Sequence, residues 1–291
     1  MRYRISHRTT YSYDDDVTDS LGIAYLAPRQ LAWQDVVRRR LVISPTTEDE
    51  TEDVDYYGNA VTYFQVTEPH RVLDIHATSE VEVRAEQHDE SALAAPWETA
   101  RPATRPDVPD AWRAQDLALP SSLADQTPAA HAYAAESLLP GRPVGEAVTE
   151  VMQRIHADFA YDKTATTVTT TIDDIFDKRA GVCQDFAHLT LSCLRSHGLA
   201  VRYVSGYLAT TPPPGKERVV GADATHAWAA VWIPGDGWLA LDPTNDQWAN
   251  DRYVTVAWGR DYGDVPPVKG VIFTEAKAST LRVEVDVAPV T

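Results

Sequence analysis

The chain has 291 residues, past the size at which one hydrophobic core usually keeps growing, so two domains are the default expectation. A hydrophobic content of 44% and a charged content of 24% are those of an ordinary soluble globular protein. With 26 Lys and Arg against 43 Asp and Glu, the net charge of −17 repels phosphate backbones and anionic lipid, which argues against nucleic acid and membrane surfaces as partners.

The opening MRYRISHRTTYSYDDD lacks the apolar stretch of a secretory leader, and no run approaches the roughly 18 residues of a membrane span. Residues 1–90 read as β structure from alternation and turn signals. In VLDIHATSEVEV, Leu73, Ile75, Ala77, Val81 and Val83 fall on one face, with Asp74, His76, Glu80 and Glu82 opposite. DVDYYGNAVTYFQV suggests two strands around a turn at Gly58-Asn59, and VVRRRLVI is another strand. Short strands with polar turns predict a small β-sandwich. The acidic run EDETEDVD reads as a solvated loop or edge.

From 91 to 143 the texture changes, with Pro96, Pro102, Pro106, Pro109, Pro120, Pro128, Pro140 and Pro143 marking a wrapping connector in which AAHAYAAESLL fits a helix. Residues 144–291 then read as an α+β core that includes a C-terminal strand. Val144, Val148, Val151, Met152, Ile155 and Phe159 form one helical stripe. A second helix runs from Cys183 towards Gly198, with Phe186, Ala187, Thr190, Cys193, Leu194 and His197 as its buried stripe and Gly198 as its C-terminal stop. Strands follow at VRYVSGYLA, HAWAAVWI and GWLALD. In the tail LRVEVDV, Leu281, Val283, Val285 and Val287 point inward.

The two cysteines, Cys183 and Cys193, lie ten residues apart on that second helix. A rise of ~1.5 Å per residue separates them by ~15 Å, about twice the ~7 Å limit for a disulfide, so a reducing cytoplasm fits the chain best. Cys183 opens the helix, where unpaired N–H groups and a partial positive charge favour a thiolate. A thiolate needs a base, and a base needs an orienting group. His226 begins one strand and Asp242 ends the next, so a tight antiparallel hairpin leaves both near one end of the pair. They share a face only if the turn holds an odd number of residues or a bulge intervenes.

GVCQDFAHL, THAWAAVWIPGDGW and LDPTND, in that order, resemble the transglutaminase-like superfamily. YRISHRTTYSY, YYGNAVTYF, EPHRVLDIHATSEVEV, RYVSGYL and GRDYGDVPPVKGV are similar to the bacterial branch that carries an N-terminal β domain. The resemblance implies a papain-like core with Cys183 as nucleophile, His226 as base and then acid, and Asp242 orienting the imidazole. It implies attack on an amide carbonyl of a peptide or small amide through an acyl-thioester, with no cofactor. Hydrolysis is the expected outcome, acyl transfer to an amine the alternative, and a catalytically silent binding module the rival outside enzymes. The Cys183 N–H is one oxyanion donor, and Tyr161 is a second candidate from the resemblance. Cys193, His188 and the hairpin tryptophans read as core, and Asp185 as a helix-dipole partner. No close C-x-x-C or H-x-x-x-H pair occurs, so no metal is expected.

Overall fold

The computed structural model describes residues 1–109, 111–167, 170–210 and 225–290. In chain order these form β1 (Arg2–Ala24), β2 (Gln34–Ser44), β3 (Asp49–Val54), β4 (Ala60–Val66), β5 (His70–Val83), α1 (Glu90–Leu93), α2 (Ala111–Asp116), α3 (Pro128–Ala135) and α4 (Val144–Asp158). Then come β6 (Ala160–Tyr161), α5 (Ile172–Lys178), β7 (Ala180–Gly181), α6 (Cys183–Arg195), β8 (Val201–Leu208), β9 (Thr225–Ile233), β10 (Gly237–Asp242), β11 (Gln247–Trp248), β12 (Tyr253–Gly259), β13 (Val268–Thr274) and β14 (Ser279–Pro289). The architecture is α+β, a strand-rich N-terminal unit beside a core of helices packed on an antiparallel sheet.

The N-terminal unit is built from a single hydrogen-bonded antiparallel sheet. β1 is long enough to serve both halves: Arg2–Ser12 pairs with β5, and Ser20–Ala24 pairs with β4. The pairing breaks around Asp14, Asp15 and Asp16, where the strand turns from one half to the other. Ile43, Leu73, Ile75 and Ala77 of one half then pack with Ala24, Phe64 and Val66 of the other. The acidic segment is β3, an exposed edge strand, where exposed charge guards against edge-to-edge association.

The C-terminal strand expected with the core, β14, belongs to this first sheet, and so does β13. β13 pairs with the second half of β1 and β14 with the first half. Val285 and Val287 are buried, but Leu281 and Val283 are 58% and 47% exposed. Their alternation is right. The inner face at that point opens onto a cavity instead of packed core.

The core sheet has the order β11-β10-β9-β8-β12. α6 lies against β8 and β9 and is also flanked by α3, α4 and α5. It is therefore buried on nearly every side, from Asp185 to Arg195, and not along one stripe as its periodicity suggests. Its off-stripe polar groups are tolerated because they reach backbone carbonyls. Arg195 Nη2 donates to Val201 O and Arg260 O, each at 2.6 Å, and Ser192 donates to Asp125 O. The helix ends with Gly198 at φ +80°, as a C′ glycine does.

β12 is an edge strand of the core sheet, and the N-terminal unit closes it with side-chain amides. Gln34 Nε2 donates to Thr255 O at 2.7 Å while its Oε1 accepts Thr255 N–H at 2.8 Å. Asn59 does the same at Trp258, donating to its carbonyl at 2.8 Å and accepting its N–H at 2.9 Å. Both amides are fully buried and take the place of a neighbouring strand. Gln34→Leu keeps the volume but orphans the Thr255 N–H, which should cost about 1–3 kcal/mol. Chemical denaturation measures this, and a wild-type midpoint would show that β12 needs no such partner.

Candidate active site

Three residues separate β9 from β10, since Ile233 pairs with Gly237. Gly235 and Gly237 take positive φ in this turn, a region open to glycine. The odd count gives the register that sets Asp242 beside Trp228, on the face that His226 shares. The hairpin thus brings the imidazole to the carboxylate, with His226 Nε2 2.7 Å from Asp242 Oδ2. α6 packs on the opposite face, and its first residue, Cys183, reaches the end of the sheet where β9 begins. Cys183 and the imidazole line the same cavity, and the sulfur is close enough to help raise the His226 pKa. Cys183, His226 and Asp242 are therefore brought together at one end of the core sheet.

Asp242 has no exposed surface. Its Oδ2 accepts from Tyr253 Oη at 2.6 Å and Asn245 Nδ2 at 2.7 Å, as well as from His226. Its Oδ1 accepts the N–H groups of Thr244 at 2.9 Å and Asn245 at 3.3 Å. Burial alone would raise this carboxyl, but the hydrogen bonds and the imidazolium hold it below its ordinary value. For His226, burial favours the neutral ring. The hydrogen bonds to Asp242 and Cys183 and their charges outweigh it, raising the pKa to about 10.

Tyr253 is a member that sequence reasoning missed. It sits two strands from His226 in the sheet, on β12, and its hydroxyl in turn accepts from Gln247 Nε2 at 2.6 Å. Its ring packs edge-on against Trp228, centroids 5.3 Å apart. Gly206 makes this possible, because a Cβ there would lie 2.7 Å from Trp228 Cη2 and 2.1 Å from Val254 O. Asp185 has the structural role that its position allowed, accepting Val182 N–H at 2.8 Å and Thr166 Oγ1 at 2.6 Å. His188 is buried, held neutral with a pKa lowered to about 4, and accepts Tyr262 N–H at 3.1 Å. Cys193 is fully buried, and burial pushes its thiol far up.

Cys183 and His226 open into a cavity of about 290 Å³. The core contributes Gln184, Tyr203, Ser205 and Tyr262 to its walls, and the first sheet contributes His7, Thr9, Tyr11, Leu281 and Val283. Tyr161 does not line it. His7 is fixed by Tyr207 Oη at 2.9 Å and Thr9 Oγ1 at 3.2 Å, and burial lowers its pKa to about 4. Among the described residues, no three His, Cys, Asp or Glu side chains are grouped as a metal site requires.

Residues 3–82 match the bacterial transglutaminase-like N-terminal region, and residues 131–243 match the transglutaminase-like superfamily core. The chain belongs to the transglutaminase-like superfamily. An uncharacterized protein of Mycobacterium tuberculosis strain H37Rv is 47% identical over 295 residues, covering 99% of this chain and 93% of that one. A 101-residue segment is 38% identical to the protein-glutamine gamma-glutamyltransferase of Pseudomonas aeruginosa, covering 33% of this chain and 15% of that protein. A crystal structure described as a candidate cysteine protease, from Cytophaga hutchinsonii, aligns with a TM-score of 0.76 at 21% identity, over 100% of this chain and 92% of that one. At that identity the likeness is one of fold. It covers both units of the chain.

The two shifts define a pH window. His226 is raised from 6.5 to about 10, so its contribution to stability is complete below 6.5 and is lost as pH rises towards 10. Asp242 is lowered from 3.8, so its contribution is present above 3.8 and is lost as pH falls through the lowered value. The melting-temperature difference between wild type and Asp242→Asn should be largest between pH 3.8 and 6.5 and should narrow towards pH 10. A difference independent of pH would mean that the pair carries no net charge interaction.

Proposed function

We propose that this protein is a cysteine-dependent amide or peptide-bond hydrolase that works through an acyl-thioester on Cys183. The observation that carries the reading is a buried carboxylate 2.7 Å from an imidazole that lines one cavity together with the Cys183 thiol. The Cys183 thiolate attacks the amide carbonyl carbon. The C–N bond breaks, and the His226 imidazolium gives its proton to the departing nitrogen. Neutral His226 next takes a proton from water as the water oxygen attacks the thioester carbon. The C–S bond breaks, a carboxylic acid leaves, and the ion pair is restored. Asp242 fixes the ring orientation and favours the imidazolium.

The Cys183 N–H, among the four at the start of α6 without an intrahelical acceptor, is one donor for the developing oxyanion. Gln184 and Tyr203, beside it in the cavity, replace Tyr161 as candidates for the second. Burial keeps the Tyr203 hydroxyl protonated and so able to donate. The segment shared with the Pseudomonas gamma-glutamyltransferase favours a second reading, in which a primary amine replaces water and the product is a new amide.

A screen of peptide and small-amide libraries, with and without a labelled primary amine, separates these readings. Release of amine with free acid as the product supports hydrolysis, and label incorporated into the acyl product supports transfer. Cys183→Ser should abolish either. Asp242→Asn should fold yet lose on the order of 10⁴ in turnover, the cost of the analogous change in a serine triad. Full activity in the Cys183→Ser variant would overturn the mechanism.

Thiol labelling tests the same centre without a substrate. Iodoacetamide at pH 6 should modify Cys183 and spare the buried Cys193. His226→Ala should slow that reaction by removing the cationic partner. Equal labelling of both thiols, or indifference to the histidine, would favour a silent binding module.

A further inference from the structure

Away from the thiol, a second cavity of about 590 Å³ lies between the core sheet and the first unit. Its walls are aromatic. Trp232, Trp238 and Trp258 come from the core, and Tyr57 from the turn before β4. Trp112 and Tyr56, 66% and 74% exposed, stand at its mouth. Apolar walls with a few placed polar groups are the usual makeup of a small-molecule site, and the volume falls in the common range.

The polar groups here are guanidiniums. Arg202 lies 4.4 Å from the Trp238 ring centroid and 3.6 Å from that of Trp258. Arg29 is also 3.6 Å from the Trp258 centroid. Two guanidinium carbons that close to one centroid cannot share a face, so Trp258 is held between them. The stack runs Trp238, Arg202, Trp258, Arg29, and carries two positive charges.

These charges are incompletely answered. Arg202 is 6% exposed, and among the described residues no hydrogen bond or ion pair reaches its guanidinium. Its Nε is buried without a partner, as is the Nε of Arg29. Arg29 Nη1 does donate to Asn59. The carboxylate in the cavity wall, Asp55, is committed to the turn, accepting Tyr57 N–H, Asn59 N–H and Asn59 Nδ2 between 2.8 and 2.9 Å. Glu86 lies near enough to Arg202 for its charge to be felt but makes no ion pair with it. Leaving a buried guanidinium unpaired is costly unless something else supplies the anion. In a chain of net charge −17, a cationic pocket is not a product of bulk composition.

We propose that this cavity binds a small aromatic oxyanion, with its ring against the tryptophan and tyrosine walls and its carboxylate or phosphate on Arg202 and Arg29. Guanidinium forks suit either planar group. Isothermal titration of the full chain with phenylacetate, phenyl phosphate and neutral phenylacetamide tests the charge requirement and tells the two anions apart. At least one anion should bind saturably, and phenylacetamide at least about tenfold more weakly, the scale of a lost charge-assisted hydrogen bond. Arg202→Gln should weaken the anion by a similar factor. Because Arg202 is in the core, Trp112→Ala at the exposed mouth serves as a second variant and should weaken binding while keeping the wild-type melting temperature. Absence of binding by both anions at millimolar concentration, equal binding of the neutral amide, or unchanged affinity in Trp112→Ala would overturn the proposal.

Discussion

A carboxylate removed from water must be fully hydrogen-bonded or it costs several kcal/mol, and Asp242 meets that condition with donors from three separate places. The turn after β10 supplies two N–H groups and Asn245, β12 supplies Tyr253, and β9 supplies His226. These donors coincide only when the strands are ordered β10-β9-β8-β12 and in register. Trp228 spans the intervening strand over Gly206 and carries the packing to Tyr253. The cation on His226 is thus a consequence of the whole sheet. Any slip of one residue in the hairpin would turn His226 away from the carboxylate.

The same sheet ends on an edge that the first unit must complete. Gln34 and Asn59 stand in for a missing strand along β12. That docking also seats β1 and β14 against the thiol, so one wall of the cavity comes from each unit. His7, locked by Tyr207 across the junction, belongs to the cavity through this packing. The core alone would have an open sheet edge and an incomplete cavity. This gives the N-terminal unit a structural task and a place at the site together.

What could be read in the sequence was local. Alternation in β5, the stripe of α4 and the glycine stop of α6 depend on near neighbours in sequence, and the order of Cys183, His226 and Asp242 is carried by three short motifs. The parity rule for the β9–β10 turn was also available, because the side-chain period of a strand is two. What escaped was set by distant partners. The periodicity of α6 implied one buried face, yet helices and strands from several parts of the chain enclose it. β13 and β14 look like any strands of the core, and only their pairing with β1 assigns them to the first sheet. Tyr253 carries no motif, and Arg202, though it begins RYVSGYL, is given no role by it. The first matters because of β12's position, and the second because Trp238 and Trp258, 36 and 56 residues further along the chain, converge on it.

The walls of the cavity beside Cys183 suit the proposed mechanism, which asks a strongly acidic chain to hold a thiolate. Among the described residues that line it there is no Asp, Glu, Lys or Arg, and His7 is kept neutral by burial. The described acidic residues therefore contribute no carboxylate to the wall beside Cys183. A nearby carboxylate would oppose the thiolate, and a nearby lysine or arginine would compete with His226 for it. Leu281 and Val283 add apolar surface at the mouth, where a bound acyl chain would displace water. Less water around the imidazolium and the sulfur strengthens their attraction. In the proposed mechanism, then, the field on a bound amide is set by Cys183, His226 and Asp242, and the uncharged wall from the first sheet keeps it so.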